Sequence, residues 1–244
     1  MQDFVLYYDA LRIAYNYMPK NACSTVKSTL AFANDGSVFE QTPHQLDAKY
    51  RQKPINIDGS WKRLVILRDP FERLISAYLD KVIRPLEPDV VKLVDWIYRT
   101  EYERERVGEQ SITLRQFWHW VRQQQSDNLN PHWRHQSAML AFDSYDYILR
   151  VETLVSDWNA LGLSNSVSEL RVFLNHATSS MSDFRRVLYG VPGHFIYGFR
   201  ITTGIYPHKA CFSVPELLEE VKQYYAADYK LLEEMEQPSP MRAD

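Results

Sequence analysis

Apolar runs and amphipathic stretches alternate along the chain. Residues 63–67 read Arg-Leu-Val-Ile-Leu, an apolar run bounded by charged residues, which is typical of a strand buried on both faces of a parallel sheet. Just beyond them, apolar residues recur at three- and four-residue steps and predict a helix over residues 71–82. Because strand-like and helix-like patterns alternate, we predict an α/β fold with a parallel sheet.

The same patterns predict the other elements. We expect an edge strand or hairpin strand over 4–8, a core strand over 12–17, a helix over 24–33 and a short helix near 44–50; then helices over 90–106 and 113–124, a strand over 145–151, a helix over 166–176 and a terminal helix over 214–235. Ser24 or Thr25 is the expected N-cap of the helix 24–33. Residues 184–206 are predicted to be a loop, because they hold half of the chain's 8 glycines.

The stretch 15–30 has the features of an anion site. A core strand ends near Pro19, Lys20 follows, and a helix begins a few residues later. The N–H groups at a helix start, its dipole and a lysine together favour a phosphate or a similar group. No glycine lies between Pro19 and Leu30, so the stretch is not a Walker A loop, and a P-loop kinase or plain nucleotide triphosphatase is disfavoured. The alternative is an ordinary strand-turn-helix with a surface lysine.

A second candidate anion site follows the strand 63–67. Arg68 comes at its carboxyl end, where ligands bind in open parallel sheets, and its guanidinium can make two parallel bonds to a phosphate. Ser76 lies two turns along the next helix and reaches the same ligand only if that helix is suitably aimed. Arg73 is expected to form an exposed salt bridge on the helix, and Asp69 either caps the helix or contacts a ligand.

Bulk properties narrow the choice of function. The 244 residues suit one domain over 1–244, with a flexible tail at 237–244, and the net charge of −3 disfavours a non-specific nucleic-acid binder. The two cysteines, Cys23 and Cys211, do not suggest a disulfide framework, and no His or Cys cluster has zinc spacing. Without a visible signal peptide or a membrane span, we expect a soluble, cytoplasmic protein; a trimmed Golgi lumenal domain is the alternative.

Taken together, the motifs resemble those of a known family. Pro-Lys-x-Ala-Cys-Ser-x-x-Lys begins at Pro19, and Leu-Arg-Asp-Pro-Phe-Glu-Arg-Leu-Ile-Ser-Ala-Tyr-x-Asp-Lys begins at Leu67. This order is similar to that in the PAPS-dependent carbohydrate sulfotransferases, in particular the branch that sulfates chondroitin, dermatan and the HNK-1 glycan. The segments 130–133, 145–154 and 225–232 also resemble that branch. Its lumenal cysteine pattern is absent near residues 132–146, which favours a soluble or bacterial relative.

The resemblance implies a P-loop-NTPase-like parallel sheet flanked by helices, with mostly helical insertions. It implies transfer of a sulfuryl group from 3′-phosphoadenosine 5′-phosphosulfate (PAPS) to a carbohydrate hydroxyl without a metal. Arg68 and Ser76 would contact the 3′-phosphate. The 5′-phosphosulfate would bind the catalytic residue Lys20 and the residues after it, namely Asn21, Ala22, Cys23, Ser24 and Thr25. Alternatives are a lipid or small-molecule alcohol as acceptor, and a nucleotide-binding relative that has lost catalysis.

A hydroxyl acceptor needs a base, and histidine is the usual one near neutral pH. His132 and His135 are the first candidates, and His132 ranks above His135 because it matches the His-Trp motif of the resembling family. The alternatives are that His132 is structural or only contacts substrate, and that a carboxylate such as Glu40 or Glu152 is the base. His119 lies between two tryptophans and is expected to be packed.

Overall fold

The computed structural model describes residues 4–38, 45, 47–52, 57–125, 129–161 and 187–236. The chain divides into two compact units. The first unit comprises Met1–Asp69, Arg134–Leu174 and Ala227–Asp244; the second comprises Pro70–Trp133 and Asn175–Ala226. The single domain 1–244 stays a prediction. The predicted helix 166–176 and the predicted flexible tail 237–244 lie outside the described residues.

The strands and helices follow the predicted order closely. The strands are β1 Val5–Tyr8, β2 Ile13–Asn16, β3 Lys62–Leu67 and β4 Tyr147–Arg150. The helices are α1 Cys23–Asp35, α2 Asp47–Tyr50, α3 Pro70–Ala77, α4 Pro88–Glu101, α5 Leu114–Val121, α6 Leu154–Ala160, α7 Gly193–Thr203, α8 Pro215–Tyr224 and α9 Ala226–Glu236. A π-helical turn, Tyr78–Val82, extends α3, and short 3₁₀ turns cover Ser137–Met139 and Lys209–Phe212.

A four-stranded sheet in the order β1-β2-β3-β4 organises the first unit. β2, β3 and β4 are parallel, and β1 pairs antiparallel with β2 at the edge. The predicted α/β class with a mostly parallel sheet and flanking helices is therefore confirmed. Since parallel strands end at the same edge, the residues after Asn16, Leu67 and Arg150 emerge side by side, where ligands bind in open α/β sheets.

The last four residues of β3 are buried on both faces of the sheet, as its continuous apolar run predicts. Leu64 and Ile66 point to the face that packs against Val26 and Leu30 of α1. The alternate residues Val65 and Leu67 point to the other face and join Leu232 of α9 in a second cluster. The core thus fixes helices on both sides of the strand ends that carry the candidate site.

The second unit is mainly helical and shows clear sequence signals at two helix starts. Thr113 caps α5 through a full capping box with Gln116, as the predicted helix start at Thr113 requires. Pro70 is the first residue of α3, where its missing N–H is not needed. At Gly193 a Cβ would lie 2.8 Å from Cα of Ile83, so this close backbone approach requires glycine.

Three predictions of secondary structure are wrong. Residues 184–206 are not all loop, because α7 occupies Gly193–Thr203; its glycines lie at the helix start and at the left-handed C-cap, Gly204, as well as inside. The predicted terminal helix 214–235 is two helices, α8 and α9, divided at Tyr225. The predicted helix 90–106 ends at Glu101, and its charged residues beyond that point follow the helix.

Candidate functional site

The Lys20 loop connects the carboxyl end of β2 to α1. Lys20 and Ala22 both have left-handed backbone conformations, with φ of 70° and 53°. Left-handed φ costs a non-glycine residue about 1–2 kcal/mol, so this loop is strained and held by its surroundings. These two left-handed residues turn the chain so that α1 begins at Cys23. The expected N-cap at Ser24 or Thr25 is therefore wrong, and the cap position is Ala22, without a side-chain cap bond.

The start of α1 offers hydrogen-bond donors. The amide of Val26 donates to the carbonyl of Ala22 at 3.1 Å and is the first to make the helical bond. The amides before it, at Cys23, Ser24 and Thr25, have no helical acceptor by the geometry of a helix start. Ser24 and Thr25 are half-buried, and within the described residues no hydrogen bond uses their hydroxyls. This arrangement of donors and helix dipole suits an anion.

Arg68 lies beside the Lys20 loop, since both follow parallel strands that end at the same edge of the sheet. Its Nη1 donates to the carbonyl oxygen of Lys20 at 2.8 Å. Both residues are half-buried. The guanidinium of Arg68 therefore lies against the backbone of the Lys20 loop, at the carboxyl edge of the sheet.

Asn21, which the sequence placed among the donor-binding residues, directs its side chain into the protein. Asn21 is 0% exposed, and its Nδ2 donates to the carbonyl of Ile66 at 2.8 Å and to Oε1 of Gln136 at 2.6 Å. Its backbone amide donates to the carbonyl of Met18 at 3.2 Å. The side chain of Asn21 thus holds the loop against β3.

Gln136 and Asp228 complete this buried network, and we did not predict either as a site residue. The amide of Gln136 bonds both the N–H and the C=O of Arg68. The carboxylate of Asp228 accepts from the backbone amides of Gln136 and Ser137 at 2.8 and 2.9 Å. Asp228 lies in the segment 225–232 that resembles the family, which was its only signal. Gln136 had none, since its partners are distant in sequence.

The end of β4 contributes a carboxylate at the same edge. Oε1 of Glu152 accepts from the backbone amide of Asp69 at 3.0 Å, and its Oε2 lies 3.5 Å from Nε of Arg150. Glu152 is therefore engaged as a hydrogen-bond partner at a strand end. This contact fixes the chain between β3 and the start of α3.

A buried ion pair lies behind the Lys20 loop. Nζ of Lys27, on α1, contacts Oδ2 of Asp47 at 2.8 Å and lies 3.6 Å from the ring centre of Tyr17. The side chain of Lys27 is 1% exposed. Burial lowers the pKa of Lys27, while its bond to Asp47 opposes that shift. The pair links α1 to α2, so it helps to fix the helix whose first turn faces the site.

His132 belongs to the second unit. Its Nδ1 lies 2.7 Å from Oδ1 of Asn130. Since an amide oxygen can only accept, Nδ1 carries the proton, and in the neutral ring Nε2 then has the lone pair. The backbone amide of His132 donates to the same oxygen at 3.0 Å. Asn130 thus sets both the tautomer and the orientation that a general base at His132 needs.

The segment around His132 is anchored on both sides. Nη2 of Arg73 donates to the carbonyl of Pro131 at 2.6 Å, and Arg73 is 2% exposed. The expected exposed salt bridge at Arg73 is therefore wrong, because the apolar packing of α3 buries this side chain. The hydroxyl of Tyr225 donates to the carbonyl of Trp133 at 2.6 Å, and Trp133 packs edge-on against Phe117.

The remaining predicted residues are placed as follows. Ser76 is half-buried on α3 in the second unit, whereas Arg68 is in the first, so no shared site for them is described. His135 is in the first unit. His119 is exposed on α5, where its ring contacts Arg122 and Gln123, so the expectation that it is packed is wrong. Glu40 lies outside the described residues.

Among the described residues, no group of three or more histidine, cysteine and acidic side chains could hold a metal ion. None of the helices in that part of the chain is both long enough and apolar enough to cross a membrane. Cys23 and Cys211 are buried and form no disulfide.

Comparison with known proteins identifies the family. The sulfotransferase family model matches residues 4–233. A match over nearly the whole chain shows that this chain belongs to the sulfotransferase family, so the family resemblance stated from the motifs is confirmed. The mostly parallel sheet with flanking helices agrees with the P-loop-like fold expected for it.

The curated relatives are carbohydrate sulfotransferases at low identity. The chain is similar to carbohydrate sulfotransferase 8 of Mus musculus, 25% identical over 169 residues, covering 62% of this chain and 40% of the relative. It is similar to carbohydrate sulfotransferase 14 of Mus musculus, with 27% identity over 168 residues that cover 64% of this chain and 44% of the relative. Carbohydrate sulfotransferase 9 of Homo sapiens is 28% identical over 196 residues, which cover 72% of this chain and 44% of the relative. The chain therefore spans less than half the length of these relatives. No solved structure matches it significantly.

Proposed function

We propose that this chain transfers the sulfuryl group of PAPS to a carbohydrate hydroxyl by in-line displacement. The observation that carries the proposal is the bond from Nη1 of Arg68 to the carbonyl of Lys20, 2.8 Å long. It joins the residues of the two motifs at one edge of the sheet, in a member of the sulfotransferase family. A donor with phosphate at both ends of its ribose needs such paired cationic groups.

The residues of the Lys20 loop fit an anionic group by their chemistry. They supply backbone donors, a helix start and two cations. The donor would supply the sulfuryl group and a nucleotide leaving group. Lys20 and the amides of Cys23, Ser24 and Thr25 stabilise the negative charge that develops on the 5′-phosphate during transfer, and strained loop geometry holds them ready for it. Arg68 contacts the 3′-phosphate.

His132 takes the proton of the acceptor hydroxyl in this proposal. Its Nδ1 proton is held by Asn130, at 2.7 Å. Nε2, which has the lone pair, is then the basic atom. The hydrogen bonds to the carbonyls of Pro131 and Trp133 limit rotation of the segment. A base oriented in this way contributes about two to four orders of magnitude to a rate.

A sugar is the acceptor we propose, because the relatives named above are carbohydrate sulfotransferases. The second candidate is a lipid or small-molecule alcohol, which uses the same donor residues and differs only in the acceptor pocket. The third is a nucleotide-binding relative without catalysis. The oriented His132 imidazole favours catalysis over this third candidate.

An acceptor screen with sulfate-labelled PAPS tests the proposal. The protein is incubated with desulfated glycans in one set and with sterols and phenols in another, and label is measured on each product. We expect label on at least one glycan and none on the alcohols. Label on alcohols alone would show that the acceptor is a lipid or small-molecule alcohol and not a carbohydrate. Tight binding of adenosine 3′,5′-bisphosphate without transfer to any acceptor would favour the non-catalytic relative.

A further inference from the structure

We propose that Gln136 is a positioning residue, whose one amide group holds the Lys20 loop and Arg68 in a single arrangement. The inference rests on the proposed function in one respect, since the structure that Gln136 orders is the proposed donor site. Gln136 itself is 1% exposed and does not contact solvent. Its effect on the donor would therefore be exerted through Asn21 and Arg68.

The amide of Gln136 makes three hydrogen bonds to two separate chain segments. Its Oε1 accepts from Nδ2 of Asn21 at 2.6 Å and from the backbone amide of Arg68 at 3.0 Å. Its Nε2 donates to the carbonyl of Arg68 at 2.8 Å. The partners lie 115 and 68 residues away in sequence. Gln136 thus joins the loop after β2 to the residue after β3.

The hydrogen-bond pattern requires a primary amide at this position. Two donors face Oε1 and one carbonyl faces Nε2, so the opposite amide orientation would set donors against donors. An apolar side chain of the same size would leave the N–H and C=O of Arg68 without these partners inside the protein. Buried polar groups that lose a partner carry the full desolvation penalty, and the backbone would shift to avoid it.

Gln136 is also fixed from behind. Asp228 accepts from its backbone amide at 2.8 Å and from the amide and hydroxyl of Ser137 at 2.9 and 2.8 Å. Asp228 and Asn21 are 1% and 0% exposed. Hydrogen bonds in such a dry network are strong and directional, so a displacement of Gln136 is transmitted to its partners. Arg68 in turn reaches the carbonyl of Lys20, which extends the network to the predicted catalytic residue.

Asn16 provides a matched control for loss of a buried amide. It is 0% exposed, like Asn21, and is the last residue of β2. Its Oδ1 accepts from the amide of Ala141 and the hydroxyl of Tyr145, and its Nδ2 donates to the carbonyl of Phe4. The pattern of two acceptor bonds and one donor bond equals that of Gln136, but its partners are outside the Lys20 loop and Arg68.

The test compares Gln136→Met with Asn16→Leu, two apolar replacements of similar size. Hydrogen exchange of the ligand-free proteins is measured at Asn21 and Val26, whose backbone amides donate to the carbonyls of Met18 and Ala22 and not to Gln136. We expect about tenfold faster exchange there in Gln136→Met, since the loop loses its bond from Asn21, and little change in Asn16→Leu. Gln136→Asn, which shortens the side chain, is used in the same way if Gln136→Met does not fold.

Calorimetric binding of adenosine 3′,5′-bisphosphate provides the second readout. We expect affinity about tenfold weaker in Gln136→Met and close to wild type in Asn16→Leu, even if both lose thermal stability. Unchanged exchange at Asn21 and Val26 in Gln136→Met, or equal changes in both variants, would overturn the proposal. If the loop loosens as expected but the wild-type protein does not bind the nucleotide, Gln136 keeps its positioning role and the proposed function fails.

Discussion

The guanidinium of Arg68 donates a hydrogen bond to the backbone carbonyl of Lys20, with 2.8 Å between Nη1 and the oxygen. Arg68 was predicted as a ligand of the 3′-phosphate and Lys20 as a ligand of the phosphosulfate. The contact gives Arg68 a second role, since it also holds the strained residue whose φ is 70°. The two roles have different consequences for ligand binding and can be separated by experiment.

Replacement of Arg68 by alanine should weaken nucleotide binding in two ways. Loss of the contact to Lys20 loosens the loop and affects any adenine nucleotide. Loss of the cation affects only a nucleotide with a 3′-phosphate, and a charge-assisted bond of this kind is worth about 1.5–3 kcal/mol. Calorimetry with adenosine 3′,5′-bisphosphate and adenosine 5′-monophosphate measures both effects, and we expect the loss to be at least about tenfold larger for the bisphosphate.

Arg63→Ala is the matched control, because Arg63 lies near the start of β3, the strand that Arg68 follows, and is bonded to Ser144. It should leave both affinities close to wild type. Equal losses for the two nucleotides in Arg68→Ala would remove Arg68 from the 3′-phosphate site and leave it only the contact with Lys20.

Removal of the His132 imidazole should lower turnover without changing donor affinity. We expect His132→Ala to reduce kcat by about two to four orders of magnitude. Asn130→Ala keeps the imidazole but loses its hydrogen-bonded orientation, so we expect a smaller loss, of about tenfold to a hundredfold. The measurement is single-turnover transfer of labelled sulfate at saturating donor.

His119→Ala is the control for these variants, since His119 is exposed on α5. Its rate should equal that of the wild type. A His132→Ala enzyme that transfers sulfate at a nearly normal rate would show that another group is the base. A nitrogen-15 spectrum of the imidazole with the proton on Nε2 would contradict the orientation by Asn130.

Asp47→Ala should destabilise the first unit strongly, because it leaves the Lys27 ammonium buried without this carboxylate. Side-chain exposures of 1% for Lys27 and 11% for Asp47 place the pair among buried ion pairs. Breaking such a pair costs about 3–5 kcal/mol, whereas replacing both members by apolar residues is often neutral. We therefore expect Lys27→Met/Asp47→Leu to recover most of the free energy of unfolding lost in Asp47→Ala, as measured by urea denaturation. A double variant no more stable than Asp47→Ala would contradict this.

The pH dependence of stability tests the same pair. Burial lowers the pKa of Lys27 below its ordinary value of 10.5 in the folded state. At a pH between the lowered pKa of the folded state and the ordinary pKa of the unfolded state, the unfolded chain binds more protons than the folded chain. Lys27 therefore makes the free energy of unfolding rise with pH in that range. From neutral pH towards 10.5, the wild type should gain stability relative to Lys27→Met. A constant difference across that range would show that the pKa of Lys27 is not lowered.

The sequence predicted the parts of the fold that depend on local pattern. The apolar residues of β3 and the proline at the start of α3 determine a strand followed by a helix, and Arg68 between them falls at the sheet edge for that reason. The strand after residue 145 and the helix start at Thr113 follow from equally local signals. Such features require knowledge only of neighbouring residues.

The sequence could not predict features that depend on distant partners. The start of α1 was misplaced because Lys20 and Ala22 adopt left-handed conformations that only the surrounding contacts can hold. Gln136 was missed because its partner Asn21 is 115 residues away. Glycines were taken as loop signals in residues 184–206, although α7 buries Gly193 against Ile83, where no side chain would fit.

The most direct test of the account is transfer of labelled sulfate from PAPS by Lys20→Ala. Lys20 lies three residues before Cys23, the first of the α1 donors. Its loss should abolish transfer to the glycan found in the screen, while the circular dichroism and melting temperature stay those of the folded protein. Lys92→Ala, which removes an exposed lysine on α4, should transfer at the wild-type rate. Near-normal transfer by Lys20→Ala would contradict the central claim that this loop binds the transferred sulfate.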